Sequence, residues 1–191
     1  GLSFEVIEPL KLYKMRYVGI DETSFDLTYR ALHAPFDIND PAMDPMAAGR
    51  NGPAWDSSWS GHYEQTYHIQ GELVARGRRF VVDCVETGDR SWGPRPERDN
   101  SSVIWWHASF GEALTCHMFV KHDIAHTAEL GALISGYILE SGALHGLVAA
   151  GMSLNREAAA IEAVPLREAE GVCVTHTPSA PTVVKSAWME W

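Results

Sequence analysis

A chain of 191 residues with 46% apolar and 21% charged side chains has ordinary globular composition and enough length to bury a core without covalent staples. Its formal charge of −10 repels a phosphate backbone, so nucleic acid is not an expected partner. No window approaches the roughly 18 uninterrupted apolar residues of a membrane helix. The expectation is one domain over residues 1–191, without a membrane span. Cys84, Cys116 and Cys173 are widely spaced, odd in number and form no CxxC pair, which argues against a disulfide framework or a thiolate zinc site and for reduced, buried thiols. The opening "GLSFEV" shows no charged-then-apolar leader, giving a cytoplasmic location as the expectation, and its lack of an initiator Met fits a piece of a longer polypeptide.

In chain order, "KLYKMRYVG", "SFDLTYRALH", "EQTYHIQGELVA", "RRFVVDCVE", "SVIWWHASF", "ALTCHMFVKH" and "APTVVKSAWMEW" read as strands, rich in β-branched and aromatic residues. In "FDLTYRAL", Phe25, Leu27, Tyr29 and Ala31 share one face while Asp26, Thr28 and Arg30 share the other. The short breaks "VGIDE", "ARGRR" and "SFGEA" are hairpin-sized and predict an antiparallel sheet. Two stretches depart from this pattern. Residues 35–60, full of Pro, Gly, Asp and Asn, predict a long loop. Residues 122–151 carry helical Ala and Leu but also internal glycines, which disfavour a helix interior by about 1 kcal/mol each and fit two strands joined by a turn.

Three clusters carry candidate chemistry. In "GHYEQTYHI", strand alternation puts His62, Glu64 and Thr66 on one face and Tyr63, Gln65 and Tyr67 on the other, so His62 and Glu64 are placed to share a proton. "GDRSWGPRP" follows a strand, and its Gly88, Gly93 and Pro94 predict a turn presenting Asp89, Arg90, Trp92 and Arg95. There either an acid is offered at a pocket or Arg90 pairs with Asp89 as a clamp on the wall. In "VIWWHASF", Ile104, Trp106 and Ala108 lie on one face and Val103, Trp105, His107 and Ser109 on the other, which makes His107 a candidate proton carrier tuned by burial. His122 and His126 in "HDIAH" have a metal-like helical spacing, but on a strand they stand about 13 Å apart, too far for one ion. No Walker loop, GxGxxG, GxSxG elbow or Cys–His pair in a known context occurs.

Taken together, "HYEQTYHI" followed by "GDRSWGPRP", with "EPLKLYKMRYVG" before and "SSVIWWHASFGEAL" after, resembles the lipocalin-like superfamily of carotenoid hydratases (hydroxyneurosporene synthases) and AttH-like proteins. The resemblance covers roughly residues 4–140. It implies an all-β fold, an antiparallel β-barrel of calycin type. It also implies one barrel of a usually two-barrel architecture, with a second barrel domain or a homodimer as the partner. The pocket would take a hydrophobic terpenoid, steroid-like or polyketide substrate, and the chemistry would be hydration or cyclisation with neither metal nor other cofactor. In such a pocket Glu64 or Asp89 would donate a proton while His62 or His107 orients water. Tyr67, Gln65, Arg90, Trp92, Arg95 and Trp105 would bind substrate, with Trp92, Trp105 and Trp106 lining the wall and stabilising a carbocation. The same lumen in a protein without catalysis would be a carrier of apolar ligands, and a third possibility is an interaction domain fused to a catalytic partner.

Overall fold

The computed structural model describes residues 1–49, 60–93, 102–122, 132–155 and 183–190. Among them the regular elements are antiparallel strands and one short 3-10 helix, Pro45–Gly49, so the expected all-β antiparallel class holds. No helix among the described residues is long and apolar enough to cross a membrane.

The first sheet has six strands. β1 (Leu2–Glu8), β2 (Leu12–Val18), β3 (Ser24–Ala31), β5 (Gly61–Ala75) and β6 (Arg78–Trp92) pair in that order, and the two-residue β4 (Phe36–Asp37) continues β3 along the same edge of β5. The hairpin between β5 and β6 turns on two residues, Arg76 and Gly77, both at positive φ (49° and 75°). This is the primed-turn geometry that matches the twist of the flanking strands. A second sheet of four strands orders β7 (Ser102–Ser109), β8 (Leu114–His122) and β9 (Ala132–Glu140) next to β10 (Ala143–Gly146). Its β9–β10 hairpin turns on Ser141 and Gly142, again both at positive φ (48° and 84°). The two-strand reading of the Ala- and Leu-rich stretch is therefore right over its described part: β-pairing of "ALISGYILE" with β8 overrides helix propensity. β11 (Ala149–Asn155) and β12 (Val183–Glu190) form a separate two-stranded ladder.

Within the expected loop of residues 35–60, the described part is ordered by its aspartates. Asp37, Asp40 and Asp44 each accept a hydrogen bond from the backbone N–H two residues on, at 2.8–2.9 Å. These are Asx turns, the local structure that Asp offers in competition with a strand.

The apolar core lies on the far side of the second sheet, where Cys116, Met118, Val120, Ile138 and Leu147 pack with Trp106, Ile104 and Met46. A smaller cluster joins Phe36 and Ile38 to Tyr137 and Leu139, tying β4 to β9. Among the described residues the sheets form no closed barrel. Of the cysteines expected to be buried, Cys116 is, but Cys84 is exposed because β6 leaves its side chain on an uncovered face. Cys173 lies outside the described residues.

Candidate active site

In-register pairing decides which side chains meet. β5 pairs His62 with Ser91, Glu64 with Asp89 and Thr66 with Thr87, and antiparallel partners point to the same face. Across from this face lies the second sheet, whose pairs Trp105 with Phe119 and His107 with His117 share one side, with Tyr137 next to His117 on β9. The polar face of β5 and this face of β7–β9 close on each other.

Glu64 is fully buried between them. Its Oε1 lies 2.8 Å from His62 Nε2 and accepts a hydrogen bond from the Trp105 indole N–H at 3.1 Å. His117 Nε2 lies 3.6 Å from the same oxygen. The other carboxyl oxygen, Oε2, has no hydrogen-bond partner. Burial raises the Glu64 pKa above its ordinary 4.5; the hydrogen bonds from His62 and Trp105 pull the other way, and Asp89 adds to the rise. The histidines around it move in the opposite direction. Burial holds His117 well below 6.5, helped by the nearby His107 and His62, and burial lowers His107 against the pull of its Glu86 partner, 2.6 Å away. His107 Nε2 and the Ser135 hydroxyl are also buried without a hydrogen bond among the described residues. The set is thus a desolvated layer of neutral-leaning acids and bases. Below it Thr66 Oγ1 bonds the Tyr137 hydroxyl at 2.7 Å and Thr87 Oγ1 at 3.1 Å, joining the sheets through hydroxyls.

The opening of this layer is at Asp89 and Trp105, whose exposures are 49% (side chain) and 41%. Asp89 Oδ2 stands 4.0 Å from His62 Nδ1.

The expected residues therefore divide. His62, Glu64, Asp89, Trp105 and His107 lie on the inter-sheet side. Tyr67, Gln65, Arg90 and Trp92 point to the opposite face of the first sheet. Gln65 is hydrogen-bonded throughout: it accepts from the Tyr67 hydroxyl at 2.8 Å and donates to the carbonyls of Leu10 (2.9 Å) and His33 (2.7 Å), which ties the β1–β2 turn to the segment after β3. Three expectations need correction. "GDRSW" is not a turn, because β6 runs through Trp92, with Gly61 opposite Trp92 and His62 opposite Ser91. Alternation then sends Asp89 and Arg90 to opposite faces, so no clamp forms between their side chains; Arg90 Nη1 instead donates to the Asp89 backbone carbonyl at 2.7 Å. For the same reason Trp92, Trp105 and Trp106 do not line one wall: Trp106 packs in the core and Trp92 faces the far side of the first sheet. Arg95 and His126 lie outside the described residues.

Four participants are not singled out by the sequence alone: His117, Phe119, Ser135 and Tyr137. The signal was present in "ALTCHMFVKH", where Thr115, His117 and Phe119 alternate with the apolar Cys116, Met118 and Val120. What was missing is which strand faces which.

Comparison with known proteins gives one match. The model of a domain family of unknown function, DUF7064, covers residues 1–167. Neither the curated proteins nor the solved structures yielded a match.

Proposed function

The chain belongs to the DUF7064 family, and from that premise we propose that it is an acid–base enzyme. In this reading it acts on an uncharged, largely apolar substrate held between the two sheets, adding water across a C=C bond or cyclising a polyene. The observation that carries the reading is Glu64: fully buried, pushed toward its neutral form, gripped at Oε1 by Trp105 and His62, with Oε2 unengaged. With Trp105 donating to Oε1 and the His62 Nε2–H doing the same, the acid proton belongs on Oε2. A neutral carboxylic acid in a dry site is a competent proton donor to carbon. For hydration, Oε2–H protonates one alkene carbon. Water, activated by His62 or by the Glu64 carboxylate just formed, attacks the other, and the proton lost from water restores Glu64. No electrons are gained or lost. Trp105 and Phe119 offer aromatic faces to the developing cation, and Asp89 stands at the opening, its Oδ2 4.0 Å from His62 Nδ1.

The calycin-type barrel and its kinship with the carotenoid hydratases belong to the same proposal. Support comes from the meander order of the first sheet and from its curvature, which brings Arg90 of β6 within 5.8 Å of the Phe4 ring of β1. In a flat sheet those strands stand four spacings apart, about 19 Å.

The test uses purified protein with a panel of terpenoid and polyene alkenes in heavy water, read by mass spectrometry. Wild type should give products with deuterium incorporated or water added. Glu64→Gln should lose turnover by a factor of about 100 or more while retaining affinity, and Asp89→Asn should lose less. Equal product formation in wild type and Glu64→Gln would overturn the assignment. Tight binding without turnover in any protein would favour the carrier reading.

A further inference from the structure

The opposite face of the first sheet is built differently from the catalytic layer. In-register pairing collects Phe4, Met15, Phe25, Leu27 and Phe80 on one surface, together with the tyrosines at 13, 17, 29, 63 and 67. These rings touch in sequence across the strands: Phe4 to Tyr13 at 5.5 Å, Tyr13 to Tyr67 at 6.0 Å, Tyr67 to Tyr29 at 6.1 Å between centroids. The curl that brings Arg90 to Phe4 makes the surface concave. Its middle is packed, Tyr13, Tyr67 and Ile69 being buried in a cluster with Leu27, Tyr29 and Val82, while its margins are open, Phe4 being 47% exposed, Phe80 41% and Trp92 55%.

Cations stand at both ends of this trough: Arg78 lies over the Phe80 ring at 5.4 Å, and Arg90 stands at the end where the tyrosines gather. Arg90 has no carboxylate partner among the described residues, and the carboxylate of Glu86, the neighbouring acid on this face of β6, is engaged by His107. The Arg90 charge reaches the phenols of Tyr29, Tyr63 and Tyr67, where it offsets part of the rise that burial imposes on them. Gly88 lies between them, its Cβ position 3.5 Å from the Tyr67 ring and 4.0 Å from Arg90 Nη1. From Arg90 the trough runs along β6 toward Phe80, a distance of about 33 Å at ~3.3 Å per residue.

We infer that this trough is a second binding site, separate from the Glu64 layer, and that it takes an elongated amphipathic carboxylate whose anionic head sits on Arg90 and whose apolar tail lies along the aromatic floor. A guanidinium with no carboxylate partner among the described residues, beside phenol hydroxyls, suits a planar two-oxygen anion. A long, half-open aromatic floor suits a flexible hydrocarbon better than a compact solute. Two faces of one sheet would then handle two kinds of molecule, an uncharged one among neutral acids and bases and a charged one at Arg90.

The test uses the full chain and a naturally fluorescent long-chain polyene fatty acid, with its methyl ester as the control. The free acid should bind at least about ten times more tightly than the ester. Arg90→Gln should abolish that preference, Arg90→Lys should restore part of it, and Glu64→Gln should leave it intact. Near-UV circular dichroism checks that each variant is folded. Equal binding of acid and ester, or an unchanged preference in Arg90→Gln, would overturn the inference. So would absence of binding together with self-association in sedimentation, which would make the face an interface between copies. Because Glu64→Gln separates the sites, failure here leaves the catalytic reading standing, and the reverse.

Discussion

The two faces of β5 differ more than any two separate regions of the molecule, although their residues interleave one by one. His62, Glu64 and Thr66 are roofed by the second sheet and lose their water; on the other face Gln65, Tyr67 and Ile69 are buried by the curl of the first sheet itself, which opens only toward its margins at Phe80 and Trp92. The same residue types therefore acquire different chemistry. A carboxyl on the roofed side is driven toward neutrality, whereas Arg90 on the open side keeps its charge available. Coverage by a neighbouring sheet, rather than residue identity, sets what each face can do.

The sharpest way to break this comparison is to change adjacent residues on opposite faces. Gln65→Ala removes three hydrogen bonds, one buried and two partly buried, and strands two carbonyls, so it should cost on the order of 3 kcal/mol in urea unfolding. Glu64→Gln, one position away, keeps the shape, removes an acid held against its preference, and should not destabilise the fold at neutral pH. A large stability loss in Glu64→Gln would mean that Glu64 serves the fold.

A second, intermediate effect is in pH. Burial depresses His33, His107 and His117 below 6.5 in the folded chain. In the window below 6.5 the unfolded chain thus binds more protons, and stability falls as pH falls. Glu64 has the opposite sign: its raised value contributes fully below 4.5 and is lost as pH rises through the folded value. Thermal midpoints measured from pH 7 down to 4.5 should therefore decline, and more steeply in Glu64→Gln, where the opposing contribution is gone. Parallel profiles would contradict a raised Glu64.

The smallest effect lies at the surface edge joining the two sheets. There Glu112, in the β7–β8 turn, meets Arg30 at 2.6 Å and His68 at 2.5 Å. Both Arg30 and Glu112 are half exposed, so Glu112→Gln should cost less than about 1 kcal/mol and less still at high salt. A larger loss would make electrostatics, rather than the hydroxyl and aromatic contacts of Thr66 and Tyr137, the main bond between the sheets.

Much of this was legible in the chain because strand alternation is a short-range property. The face assignments of residues 62–67 and 103–109 follow from a period of two, and the hairpins from "ARGRR" and "ESGAL". β1 carries the same alternation, Leu2, Phe4 and Val6 against Ser3 and Glu5 in "LSFEVIE", over too few residues to stand out. What was not legible is long-range. The turn-like "GDRSWGPRP" continues as strand through Trp92 because β5 supplies pairing partners as far as Gly61. Partnership with β5 outweighs local glycine, and it moved Arg90 away from Asp89. His117 became part of the site only when the second sheet was laid over the first.

The most direct measurement is the titration of the Glu64 carboxyl carbon by NMR in the folded protein, assigned by its absence in Glu64→Gln. The account predicts a midpoint above the ordinary 4.5. A midpoint at or below that value would mean a carboxylate already ionised beside His62, and no acid there to give up a proton.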